Sequence, residues 1–120
     1  MSTLNSIFRS RIAEGAVGAY RIVKPGAASM SCLQATAATE KLLGTSDELA
    51  HVTGEMVDVA LDVLPKVVLG GTVAAGDWLT SDANGKAVAT TTATQQVIGR
   101  AEIAGVADDV ITYFRAPCQL

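Results

Sequence analysis

The sequence predicts an all-β fold, a small sandwich or barrel whose core is mainly aliphatic. Hydrophobic residues make up 49% of the 120 positions and aromatic residues only 4%, so Ala, Val, Leu, Ile and Thr must fill the core. Small and β-branched residues suit thin β layers better than a thick helical bundle. Short strand-like segments recur between turn residues, which is typical of such folds.

The first 18 residues are predicted to form an N-terminal arm, separate from a single β domain over residues 19–120. Residues 1–24 contain four basic residues and one acidic residue, whereas the rest of the chain contains five basic and eleven acidic residues. The apolar residues of the arm recur at helix-like spacing, but an isolated helix this short is marginal in water. We therefore expect an extended arm that becomes ordered on a partner. Its candidate contact residues are Leu4, Ile7, Phe8, Arg9, Arg11 and Ile12.

Eight short segments after the arm have strand character. Alternation is clearest over residues 55–61, where apolar side chains flank Asp58. Pro25–Gly26 and Gly70–Gly71 interrupt the pattern as turns. The eight predicted strands cover residues 19–23, 29–36, 55–61, 66–69, 76–80, 86–90, 96–103 and 110–115.

One turn carries a specific signal. Asn84 and Gly85 lie between strand-like residues, and this dipeptide is the strongest short signal for a β-hairpin. Both central residues of a type I′ turn need positive φ, which Asn and Gly tolerate. The sequence therefore predicts a hairpin that turns at Asn84 and Gly85.

The chain also contains an internal repeat. Residues 38–44 align with residues 93–99 at a spacing of 55, and residues 54–59 align with residues 108–113 at a spacing of 54. Two copies at this period do not make a solenoid. The repeat predicts two similar β units folded against each other, in a sandwich, a β-clip or a β-tulip-like barrel.

The residues that carry chemistry are sparse. His51 is the single histidine, and Cys32 and Cys118 are far apart in sequence, so the set of ligands that zinc needs is missing. The sequence contains no Gly-x-Ser-x-Gly motif and no phosphate-binding glycine motif. We therefore expect no catalytic residues, no metal site, no cofactor and no enzymatic activity.

Composition also narrows the choice of partner. The formal charge of −3 argues against direct nucleic-acid binding, which needs clustered basic residues. We expect neither a secretory leader nor a membrane span, since no apolar run is long enough. Trp78 is the only tryptophan, and we interpret it as an anchor of the core or of an oligomer contact.

Several segments together are similar to one family. Residues 70–88 read GGTVAAGDWLTSDANGKAV and resemble the signature of the capsid decoration (cement) proteins of tailed bacteriophages. Residues 21–24, 54–59, 97–101 and 108–117 resemble other strands of that family, in the same order along the chain. The resemblance covers residues 19–117.

The resemblance implies a structural virion protein rather than an enzyme. Such proteins bind the outer surface of the expanded capsid, often as homotrimers, and stabilise it against the pressure of packaged DNA. It implies the major capsid protein and a second copy of this chain as partners, with assembly in the bacterial cytoplasm. Two alternatives remain, a tail or head-fibre component and a β-clip module that binds a small ligand.

Overall fold

The computed structural model describes residues 8–62 and 64–120, and this part of the chain contains strands and turns but no helix. The all-β prediction is confirmed, and no membrane-spanning helix occurs among the described residues. The strands are β1 (Phe8–Ala13), β2 (Ile22–Pro25), β3 (Ser31–Gln34), β4 (Gly44–Thr45), β5 (Met56–Ala60), β6 (Lys66–Val68), β7 (Trp78–Ser81), β8 (Ala87–Ala89), β9 (Gln96–Ala101) and β10 (Val110–Gln119).

The strands divide into two units with the same topology. Unit 1 comprises β1 to β5, which form a closed barrel in the order β1-β3-β2-β4-β5. Unit 2 comprises β6 to β10, which form a sheet in the order β6-β10-β9-β7-β8. Read from β1 in the other direction around its barrel, unit 1 has the order β1-β5-β4-β2-β3, which matches unit 2 strand for strand. A parallel β1–β3 pair closes unit 1, and a single parallel bridge between Leu69 and Ala87 stands at the equivalent place in unit 2.

Equivalent hydrogen bonds confirm the predicted repeat. Val17 and His51 form an isolated antiparallel bridge in unit 1, and Val73 and Gly105 form the same bridge in unit 2. The spacing is 56 residues for the first partner of each bridge and 54 for the second. The two spacings differ because the segment between the bridge partners is two residues shorter in unit 2 than in unit 1. The same bridge forms in both units, so the two halves share one fold despite their low sequence similarity.

Two clusters of buried residues form the core. One fills the barrel of unit 1 and consists of Ala13, Val17, Val23, Cys32, Val57 and Val59. The second fills unit 2, where Tyr113 is the largest fully buried side chain. This second cluster also includes Ile22, Ala35 and Leu42 from unit 1. The outer face of unit 1 therefore packs against unit 2.

The predicted separate arm is wrong for its described part. Residues 8–13 form β1, which pairs with β5 over five residues and with β3 over two. Phe8 and Ile12 are four residues apart, a spacing that also places two side chains on one face of a strand. Both are exposed on the outer face of β1. Leu4 and Ile7 lie outside the described residues.

The hairpin at Asn84 and Gly85 joins β7 to β8, but its turn is longer than a type I′ turn. The Asp82 amide donates to the Lys86 carbonyl (2.9 Å), which leaves a loop of three residues. Gly85 has a φ of 72°, whereas Asn84 does not have positive φ. The Asp82 carboxylate accepts hydrogen bonds from the Asn84 and Lys86 amides (2.8 and 2.9 Å) and stabilises this loop.

Candidate interaction surfaces

A groove of about 460 Å³ lies beside the start of β1. Its apolar part includes Phe8 and Leu49, both exposed, while four carboxylates outweigh the ammonium of Lys66 and give it a net negative charge. The acidic residues that line it are Asp47, Glu48, Asp58 and Asp62. Such a surface suits a partner that offers apolar and cationic side chains together.

Two of the groove carboxylates also hold the local structure. Asp47 accepts hydrogen bonds from the Leu49 amide (2.9 Å) and from Nε2 of His51 (3.0 Å). Asp58 accepts a hydrogen bond from the Ser10 hydroxyl (2.8 Å) across the β1–β5 pair. His51 therefore stabilises a loop. No cluster of three potential metal ligands occurs among the described residues.

The basic residues of β1 differ in their surroundings. Arg11 is half-buried and donates to the Ser31 carbonyl (3.1 Å), so its guanidinium is engaged within the barrel. Arg9 is exposed, and its nearest polar contact is the Met30 sulfur at 3.8 Å. Of the two, Arg9 is thus the residue free to meet a partner.

Trp78 belongs to a row of side chains on the outside of unit 2. Arg100 pairs with Trp78 on one side and with Phe114 on the other. The Arg100 guanidinium carbon lies 4.4 Å from the centroid of the Trp78 ring, which is a cation–π contact. Trp78 is half-buried and belongs to neither core cluster, so the central packing position in unit 2 is that of Tyr113. We call Trp78, Arg100 and Phe114 the aromatic row.

Two equivalent loops expose further apolar side chains, which sequence reasoning missed. Leu49 and Val52 lie in the loop of unit 1, and Ile103 and Val106 occupy the same places in unit 2, 54 residues later. All four side chains are exposed. Extending the repeat through residues 48–52 and 102–106 reveals the match of Leu with Ile and Val with Val.

Several titratable groups have pKa values shifted by structural contacts. The amides of Ala28 and Ala27, followed by the Ser31 hydroxyl, lower the pKa of Glu14. Burial opposes ionisation of Glu40, but hydrogen bonds from Lys24, Thr36 and Ala37 outweigh it, so its pKa is lowered. A hydrogen bond from Lys86 lowers the pKa of Asp108. The hydrogen bonds that lower these three pKa values connect turns to neighbouring strands and loops, so they stabilise the local structure.

The described residues define the class of small all-β proteins built from two similarly folded units. No family model matches the chain. No curated protein matches it either. The N base of the head fibre protein gp8.5 of bacteriophage phi29 has a similar structure, with a TM-score of 0.71 and 20% sequence identity. The match covers 96% of this chain and 98% of that one, so the likeness extends over both units.

Proposed function

We propose that this protein is a structural component of a tailed-phage head, bound to the outer surface of the shell. The observation that carries the proposal is the structural likeness to the base of a phage head fibre, which spans both chains almost completely. The sequence resemblance to capsid decoration proteins is a second pointer to the same place in the virion. The two pointers differ only in whether the protein covers the shell or carries a fibre.

The acidic groove is the surface that we assign to the capsid subunit. Phe8 and Leu49 would bury apolar area, while the carboxylate of Glu48 would accept a cationic side chain of the capsid protein. A protein that binds only the assembled shell stabilises it by mass action, because dissociation must then overcome the binding free energy as well. Many equivalent copies on one shell add their contributions.

Co-sedimentation with shells from the same genome, before and after expansion, tests the proposal. We expect saturable binding to expanded shells, accompanied by a higher temperature of shell disruption. Absence of binding to both kinds of shell contradicts the proposal. The number of bound copies then separates the two forms of it, since a decoration protein fills the lattice and a fibre base occupies fewer sites.

A matched pair of variants tests the groove. Leu49→Ser removes an apolar side chain of the groove, and Ile103→Ser makes the same change at the equivalent, exposed position of unit 2. We expect the first variant to weaken shell binding about tenfold and the second to bind like the wild type. Equal shell binding by the two variants would mean that the capsid subunit does not bind in the groove.

The homotrimer implied by the family resemblance is part of the proposal. Three linked copies on a shell would bind more tightly than one, because binding of the first copy raises the effective concentration of the others. The mass of the protein in solution and on the shell tests this number. Direct binding to nucleic acid or to a membrane forms no part of the proposed function.

A further inference from the structure

The aromatic row of unit 2 has an exact counterpart in unit 1. Trp78, Arg100 and Phe114 lie side by side on β7, β9 and β10. On the equivalent strands β2, β4 and β5, cross-strand pairs join the residues Ile22, Thr45 and Ala60. The spacings are 56, 55 and 54 residues, as expected for the repeat. The two rows therefore occupy the same position on the same fold.

The counterpart in unit 1 is completely covered. Ile22 and Thr45 are 0% exposed and Ala60 is 6% exposed. Unit 2 supplies the cover, since the Ile22 amide donates to the Gly85 carbonyl (2.7 Å) and the Thr45 hydroxyl lies 3.2 Å from that of Tyr113. In unit 1, this face is the one that binds another β unit.

In unit 2 the same face is open. Phe114 is 47% exposed, and no carboxylate of the described residues forms a salt bridge with Arg100. Tryptophan and arginine are enriched among residues that dominate protein interfaces, whereas isoleucine and alanine are among the residues most often fully buried. The composition of the aromatic row is therefore that of a contact between separate molecules.

In unit 2, the surface around the turn that contains Gly85 covers Ile22 of unit 1. The equivalent surface of unit 1 is exposed. Gly85, at the turn of unit 2, corresponds to Met30, and both residues have positive φ (72° and 57°). Val68, whose amide donates to the Tyr20 carbonyl (3.0 Å), corresponds to Ile12. Met30 is 38% exposed and Ile12 is 46% exposed, so both are available for contact.

Charge on this open surface also suits the aromatic row. The Glu14 carboxylate binds the amides of Ala27 and Ala28 in the same turn (2.8 Å each), so an anion lies close to Met30. An anion beside an apolar side chain complements Arg100 flanked by two aromatic rings. Arg9, next to Met30, offers a cation to the face of an aromatic ring.

We propose that a second copy of this chain docks on the aromatic row through the turn that contains Met30 and the end of β1 that contains Ile12. The contact repeats between molecules the contact that joins unit 1 to unit 2 within one molecule. It is heterologous, so it leads to a ring or to an open chain of copies. It rests on the self-association that is part of the proposed function and names the two surfaces that meet, but it does not rest on shell binding, because self-association can be measured without shells.

Sedimentation equilibrium and tryptophan fluorescence from 1 to about 100 μM test the proposal with the full chain. We expect the average mass to rise with concentration, and the emission of Trp78 to shift to shorter wavelength as its ring is buried. Phe114→Ser and Met30→Asn should each weaken self-association at least about tenfold. Asn tolerates the positive φ of Met30, so the fold is preserved. Val106→Ser, exposed elsewhere, is the control and should behave like the wild type.

Cysteine cross-linking distinguishes this contact from a symmetric one. Ser29 and Ala116 are exposed, and they lie close in the chain to Met30 and Phe114 without replacing either. In a Cys118→Ser background, a mixture of Ser29→Cys and Ala116→Cys should form a disulfide-linked pair of one chain of each kind. Neither variant should form such pairs efficiently alone. A constant monomer mass over the whole concentration range overturns the proposal. Efficient pairing of Ala116→Cys with itself also overturns it, because it would mean a twofold contact.

Discussion

The side-chain hydroxyls of Thr45 in unit 1 and Tyr113 in unit 2 lie 3.2 Å apart, and both residues are completely buried. Burial raises the pKa of Tyr113 well above its usual value, and the hydrogen bond between Tyr113 and Thr45 opposes that shift. The phenol is thus neutral, and each hydroxyl satisfies the other in an apolar core. This hydrogen bond directly links the two units.

Removing either hydroxyl should therefore destabilise the whole domain. Tyr113→Phe and Thr45→Val each leave one buried hydroxyl without a partner, which should reduce the free energy of unfolding by about 1–2 kcal/mol. The double variant should cost less than the sum of the two, because no orphaned hydroxyl remains. Urea denaturation of the four proteins measures this, and strictly additive effects would argue against a linking hydrogen bond.

Gly99 should tolerate no side chain. Its φ is 149°, and a Cβ atom there would lie 1.9 Å from the Phe114 carbonyl oxygen. Gly99→Ala should cost more than about 3 kcal/mol, because strand β10 would have to move.

Gly54 provides the matched control for this substitution. Its φ is 92°, and a Cβ atom there would meet nothing within 4 Å. The equivalent residue of unit 2, Asp108, already has a side chain at a φ of 71°. Gly54→Ala should cost only about 1 kcal/mol. Denaturation midpoints of the two variants compare them, and equal losses would refute the steric explanation.

Acid should destabilise the protein partly through Glu40, which is hydrogen-bonded to Lys24 and to the Thr36 and Ala37 amides. The pKa of Glu40 is lower in the folded state than its ordinary value of 4.5. Its contribution to stability is therefore present above about pH 4.5 and is lost as the pH falls through the pKa of the folded state. Glu40→Gln should flatten this part of the profile, and so should Lys24→Met. Thermal unfolding from pH 7 to pH 2.5 measures the effect; an unchanged slope in both variants contradicts it.

The two thiols should differ strongly in reactivity. Cys118 is exposed on β10, whereas Cys32 is buried in the barrel of unit 1 and its pKa is raised by burial. A thiol reagent at pH 8 should modify one cysteine per native chain quickly and the second only on unfolding. Cys118→Ser should abolish the fast phase. Fast modification of Cys32 would require frequent opening of the barrel.

The fold was accessible from the sequence where a local signal agreed with the final structure. The turn predicted at Asn84 and Gly85 joins the observed strands β7 and β8. The alternation over residues 55–61 corresponds to β5. The register of the repeat gave the two-unit architecture. β1 was misread because the spacing of Phe8 and Ile12 fits both a helix and one face of a strand, and only its pairing with β5 decides between them.

The candidate surfaces could not be predicted from the sequence in the same way. The two units have equivalent faces, and only the packing of the units decides which of these faces is buried. Ile22 and Trp78 are equivalent, yet one is buried under unit 2 and the other lies at the surface. No local pattern around either residue contains that information. The groove likewise brings Phe8 together with Leu64, residues that are far apart in the chain and meet only in three dimensions.

The early completion of unit 1 has a consequence for synthesis on the ribosome. All five of its strands lie between residues 8 and 60, whereas Gly85 and Tyr113, which cover Ile22 and Thr45, are translated later. At roughly 5–20 residues per second, the nascent barrel waits for its cover for several seconds. During that interval the face that contains Ile22 and Thr45 is exposed to neighbouring nascent chains on the same messenger RNA. Slow translation between the two halves would therefore favour contacts between different chains over packing of unit 1 against its own unit 2.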